Sequence, residues 1–192
     1  LRRPLFQPGN PIEQDYLAAV FHGSTNQMVA ITFSPPGCLR VLEPDLDPTN
    51  TMLPELMRLS APLSNADWIL PQSTTPDALT PRIFGAEPAH GWCYYYEKAD
   101  LARQLGDWEQ VTRLGELAFA SGDYPNDPME RLPFVEGYAH VGNWDRAREL
   151  TEESDAITPL MRPILCRLWQ RIDADTAASQ AVEVLSSLGC GQ

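Results

Sequence analysis

Two short strings bring a histidine close to a nucleophile: His22-Gly23-Ser24 and His90-Gly91-Trp92-Cys93. A hydroxyl or thiol becomes a useful nucleophile only beside an oriented base, and nothing in either string orients the imidazole. No Gly-x-Ser-x-Gly elbow occurs, so Ser24 reads as turn chemistry and Cys93 as a core residue or half of a disulfide. Glu43, Asp45, Asp47 and Asn50 crowd oxygen ligands at the alternate spacing of a calcium loop. Pro44 and Pro48 stiffen that segment, no glycine makes the sharp turn, and Pro54 stands where a bidentate glutamate belongs. A solvated acidic loop with Asp47 or Asn50 capping the next helix is the reading taken. Trp92, Tyr94, Tyr95 and Tyr96 form an aromatic block with the chemistry to stack on sugar rings. Consecutive helical residues point about 100° apart, so at least one of the three tyrosines is expected in the core. The phosphate-cradling patterns GxGxxG and GxxxxGK[ST] are absent. With no CxxC pair and only His22, His90 and His140 as imidazoles, no zinc site and no cofactor is read.

The elements that must position any such residues are bounded by composition. The chain has 192 residues, 43% hydrophobic and 21% charged, values of a globular protein with a core of its own. Its net charge of −12 repels phosphate backbones and anionic lipid, which argues against nucleic-acid or membrane-surface binding. No run reaches the length of a membrane span. The first residue is Leu1 with no signal segment before the fold, so the chain reads as a piece of a longer polypeptide. Cys38, Cys93, Cys166 and Cys190 allow three complete pairings, and four reduced, buried thiols are equally open.

Proline divides the chain. Thirteen of eighteen prolines lie at or before Pro88, which predicts a loop-rich mixed β/α unit over residues 1–88 and a helical unit over residues 89–192. In the first unit, Tyr16 to His22 and Gln27 to Ser34 read as a hairpin turning through Gly23-Ser24-Thr25-Asn26. Cys38 to Leu42 adds a third strand, and Glu55 to Ala61 a short helix behind Pro54. Trp68-Ile69-Leu70 reads as an apolar island docked on the nearest core, and Gln72 to Pro81 as a linker or surface loop.

The helical unit repeats itself. Leu105-Gly106-Asp107-Trp108-Glu109-Gln110-Val111 returns as Val141-Gly142-Asn143-Trp144-Asp145-Arg146-Ala147, 36 residues on, a period that signals stacked supersecondary units. In each copy glycine closes one helix, Asp or Asn caps the next, and tryptophan packs between them. With Tyr95, Ala99, Gly106, Trp108 and Ala118 in one copy and Val135, Tyr138, Gly142, Trp144, Ala147 and Pro159 in the next, the segment resembles the tetratricopeptide repeat. Lys98, Gly115 and Ser154 depart from that pattern, and a third, weaker hairpin runs from Leu160 to Leu188 with Thr176 where glycine belongs. The resemblance implies a mainly α fold of two to three helical hairpins whose first helices line a groove for a protein or peptide segment. Carried over by position, that groove would be lined by Tyr96, Asp100, Arg103 and Gln104, then by Met129, Leu132, Glu136 and His140. The competing reading makes these a solvated helix face, with Met129 and Leu132 packing on the N-terminal unit.

The strings from Ser34 to Leu42 and from Trp92 to Ala102 are also similar to the soluble C-terminal region of bacterial multi-pass membrane proteins, some of them glycosyltransferase-like. This resemblance implies an extracytoplasmic domain, attached to a membrane only through a segment upstream, with Cys38 paired to Cys93 and Cys166 to Cys190. Arg2-Arg3 beside a membrane helix would instead favour the cytoplasmic side. The expected function is non-enzymatic, a protein- or peptide-interaction or accessory domain. The alternative is a carbohydrate-binding or glycosyltransferase-associated domain using the aromatic block and the Glu43 to Asp47 loop.

Overall fold

A computed structural model describes residues 6–71, 83, 85 and 89–191; the segment read as a linker, Gln72 to Pro81, lies outside them, as does Arg2-Arg3. The chain is mainly helical with a small antiparallel sheet near the N-terminus. That sheet pairs β1 (Pro11–Tyr16) with β2 (Ala19–Ser24), Tyr16 opposite Ala19. The hairpin therefore turns at Leu17-Ala18 and not at Gly23 to Asn26, which corrects the sequence reading by a whole strand. Leu17 takes a φ of 45°, a region glycine or asparagine enters more readily, so turn composition pointed to the wrong place. Tyr16, Val20 and Phe21 remain exposed on the ribbon.

Cys38 to Leu42 does supply a strand. β3 (Ile31–Thr32) pairs with β4 (Arg40–Val41), and α1 (Glu55–Ser60) follows Pro54. The apolar island is not docked as a unit: Trp68 and Leu70 are exposed, and Ile69 is half-buried.

Among the described residues, six α-helices from Trp92 onward follow in three consecutive pairs. α2 (Trp92–Gln104) packs on α3 (Trp108–Ala120), α4 (Leu132–His140) on α5 (Trp144–Ile157), and α6 (Arg162–Thr176) on α7 (Ser179–Leu188). Successive pairs meet through their first helices, α2 on α4 and α4 on α6, and the second helix of the first pair, α3, also packs on α4. The two heptapeptides build the same turn. Gly106 and Gly142 sit at φ of +71° and +80°, the Asp107 N–H donates to the Ala102 carbonyl, and the Asn143 N–H donates to that of Tyr138. The Asp107 side chain then accepts the Gln110 N–H, and the Asn143 side chain that of Arg146, capping the second helix. In the third pair Ala177 takes the left-handed conformation at φ 50°, doing next to Thr176 what glycine does in the others.

The helical core extends into the N-terminal unit, which also holds a small separate cluster of Ala30, Leu42 and Ala61. Cys38 and Leu46 belong to the same buried cluster as Trp92, Phe134, Leu150, Leu165 and Trp169. Between α3 and α4 the backbones approach closely, because a Cβ on Gly137 would stand 2.4 Å from Cγ1 and 3.0 Å from Cβ of Val111. The β-branched valine cannot swing away. Replacing Gly137 with alanine is therefore expected to destabilise the protein by about 1–3 kcal/mol despite alanine's better helix propensity, readable as a lower urea midpoint with unchanged slope.

Candidate functional site

Asp100 and Arg103 on α2, Glu136 on α4 and Arg171 on α6 project from the first helix of each pair toward one place, and Glu43 reaches them from the loop after β4. The Arg171 fork donates to both Glu136 oxygens at 2.7 and 2.8 Å and, through its third nitrogen, to Glu43 at 2.9 Å. Arg103 donates to Asp100 at 2.9 Å and to Glu43 at 3.2 Å, and lies 3.5 Å from Glu136. Gln104 donates to the second Asp100 oxygen at 3.0 Å. Burial works to raise the Glu43 carboxyl, but Arg103 and Arg171 together hold it below its ordinary value. Burial drives Asp100 above its ordinary value, an effect that Arg103 offsets only in part and to which Glu43 adds. Three carboxylates thus share two guanidiniums, and Asp100 is a member whose ionised form the crowding disfavours.

The segment carrying Glu43 is fixed along its length. Arg40 is tied to Asp47 at 3.0 Å in the interior, and Asp47 also accepts the Glu43 N–H at 2.7 Å and the Asn50 amide at 3.3 Å. The turn at Asp47–Thr49 packs on α6. The candidate calcium ligands are thereby spent on one another and on arginines, while Asp45 faces solvent. At the other end Cys38 is disulfide-bonded to Cys93 on α2, and its N–H donates to Glu130 at 2.8 Å. A second disulfide joins Cys166 on α6 to Cys190 after α7.

The residues expected to line a groove are brought together, but under a cover. Tyr96, Asp100, Met129, Leu132 and Glu136 are 3, 7, 2, 2 and 2% exposed, and Arg103, Gln104 and His140 are partly buried. The first-helix face is occupied by the chain's own residues 38–50 instead of standing open. The eight residues carried over from the tetratricopeptide resemblance do gather on this side, while Glu43 and Arg171, which join them there, were not among them. Arg171 carried the signal of a charge within an otherwise core-facing helix; Glu43, in a loop, carried none.

Other candidates disperse. Trp92 and Tyr96 are buried; Tyr94 stacks on His90 with ring centroids 3.5 Å apart and lies under the Lys98 ammonium, so the aromatic block is engaged in packing. Ser24 and His22 sit in β2, with His22 3.5 Å from Glu13 on the exposed ribbon. Glu136, His140 and Asp175 place one ligand atom each within 4.8 Å of one another, but Glu136 is already held by the Arg171 fork and a dication there would face Arg103 as well. His140 stacks on Trp108 at 3.9 Å.

The loop between the first two pairs also does work. Asp123 accepts the Trp92 N–H at 2.9 Å and caps α2 from outside its own helix. Glu130, fully buried, accepts the N–H groups of Cys38 and Asn126 at 2.8 and 3.1 Å; burial nonetheless raises its carboxyl above 4.5. A carboxyl raised on folding adds stability below its unfolded value, and that contribution is lost as pH climbs through the folded one. Glu130→Gln removes this term, so its stability relative to the parent is expected to improve between pH 4 and pH 7 in paired urea titrations.

Compared with known proteins, the chain matches no family model, no curated protein and no solved structure.

Proposed function

We propose that this chain is a non-enzymatic accessory or interaction domain, a tetratricopeptide-like array of three helical hairpins, forming the extracytoplasmic part of a larger bacterial membrane protein. The observation that carries the reading is the occupied first-helix face: Arg103 from the first pair and Arg171 from the third close on the Glu43 carboxylate offered by a non-helical segment, and Glu136 from the second pair holds the Arg171 fork in place. Holding an irregular segment across stacked first helices is what such an array does with a ligand, and here the ligand is internal. The two identical turns, with glycine at positive φ and an Asp or Asn cap, support the repeat. The Gly115 departure has a physical account, since a Cβ there would come within 2.9 Å of Phe134, whose ring supplies the aromatic packing from the neighbouring helix. Two disulfides suit an oxidising compartment.

A random peptide array probed with the intact, oxidised protein tests the interaction role. Peptides sharing a sequence motif and binding saturably are the expected result; absence of any motif would overturn it, as would turnover of glycoside or activated-sugar substrates. Compartment reporters fused to the full-length reading frame test the placement.

A further inference from the structure

A cleft of about 160 Å³ opens where β4 and the Ala66–Trp68 turn meet α2, lined by Leu39, Val41, Ile69 and Leu101 on its apolar walls. Its polar side is a single stripe of α2: Glu97, Asp100 and Gln104, three and four residues apart and therefore on one helix face. All three present acceptors. Gln104 spends its amide N–H on Asp100, and its carbonyl oxygen is buried with no hydrogen-bond partner. No arginine or lysine is among the lining residues.

Resting on the interaction-domain reading, we infer that this cleft takes the side chain of a lysine presented by a partner segment, the aliphatic stem lying against Leu39, Val41, Ile69 and Leu101 and the ammonium meeting Glu97, Asp100 and the free Gln104 carbonyl. The charge count supports a cation in particular. The buried network has three carboxylates for two guanidiniums, and Asp100, whose ionised form burial disfavours and a nearby cation would favour, is the member that reaches the cleft. Burial raises Glu97 at the same edge, and an arriving ammonium reverses that cost. Three donors on a lysine match three acceptors, one of which has no other partner. The chain's net charge of −12 steers a basic partner toward it.

The test is an amide-resolved NMR titration of the intact, oxidised protein with Nα-acetyl-lysine methylamide, and in parallel with the norleucine analogue, which has the stem without the charge. Saturable shifts at Leu39, Val41, Leu101 and Gln104 are expected for lysine, with norleucine at least tenfold weaker. Glu97→Gln, a change at an exposed position that leaves the fold intact, should weaken lysine at least threefold. Equal binding of norleucine, unchanged affinity in Glu97→Gln, or non-saturating shifts scattered over surface carboxylates would each overturn the inference. Those results leave a motif found on the peptide array untouched, whereas a motif-free array with a saturable lysine site would overturn the broader reading alone.

Discussion

Replacing Arg103 with alanine is expected to lower stability by about 3–5 kcal/mol at pH 7, because it leaves Glu43, Asp100 and Glu136 buried around a single guanidinium. At about 2–4 °C per kcal/mol for a chain of this size, the melting temperature should drop by roughly 6–20 °C. The loss should also acquire a pH dependence with a definite sign. Crowded carboxylates in the variant bind protons more tightly folded than unfolded, so its deficit shrinks as pH falls and grows as pH rises. Removing a matched pair behaves differently. With Arg103 and Asp100 both changed to leucine, Glu43 and Glu136 stay on the Arg171 guanidinium, two carboxylates for one cation and the same surplus as in the parent, and most of the loss should be recovered, as buried pairs replaced by apolar groups generally are. Urea denaturation of the three proteins at pH 5 and pH 7 reads both effects.

Removing the Cys38–Cys93 disulfide is expected to cost about 4 kcal/mol, and removing Cys166–Cys190 about 3.5 kcal/mol, from closed loops of 55 and 24 residues in the chain-entropy account. The first has a consequence that loop length does not contain. Cys38 anchors the segment that covers the first helices, so its loss should raise amide exchange from Cys38 to Asp47 well beyond the rest of the molecule. The second ties the last helix to α6, and its loss should be felt at Ser179–Leu188 alone. Paired alanine variants, compared by denaturation and by hydrogen exchange, separate the two.

Much of the helical part was legible because its signals are local. Gly106-Asp107-Trp108 and Gly142-Asn143-Trp144 state a helix end, a cap and a packing residue within three positions, and the helices begin and end where those residues put them. Pro54 announces α1 in the same way. The β-hairpin was misplaced because Leu17-Ala18 has no turn composition, while the glycine and asparagine that do lie at and beyond the strand's end. The character of the first-helix face was harder still. The repeat resemblance puts Asp100, Arg103 and Glu136 on one side, but what lies over that side comes from Glu43, 60 residues before Arg103 and 128 before Arg171. Acidic residues between prolines look solvated when their partners are that remote, and only the fold reveals that Glu43 and Asp47 are held by arginines.

Those separations bear on the order of assembly. Each helical pair closes over a three-residue connection or less, a contact local in sequence. Glu43 has nowhere to go until α2, α4 and α6 stand side by side, since its binding place is shared among them, and bringing it there pays the loop-closure entropy of the longest contacts in the chain. The arrival of residues 38–50 is therefore expected late in assembly, and until it happens Arg103 and Arg171 have only Asp100 and Glu136 as partners, leaving the N–H groups that Glu43 takes up in the finished fold open to any acidic segment nearby.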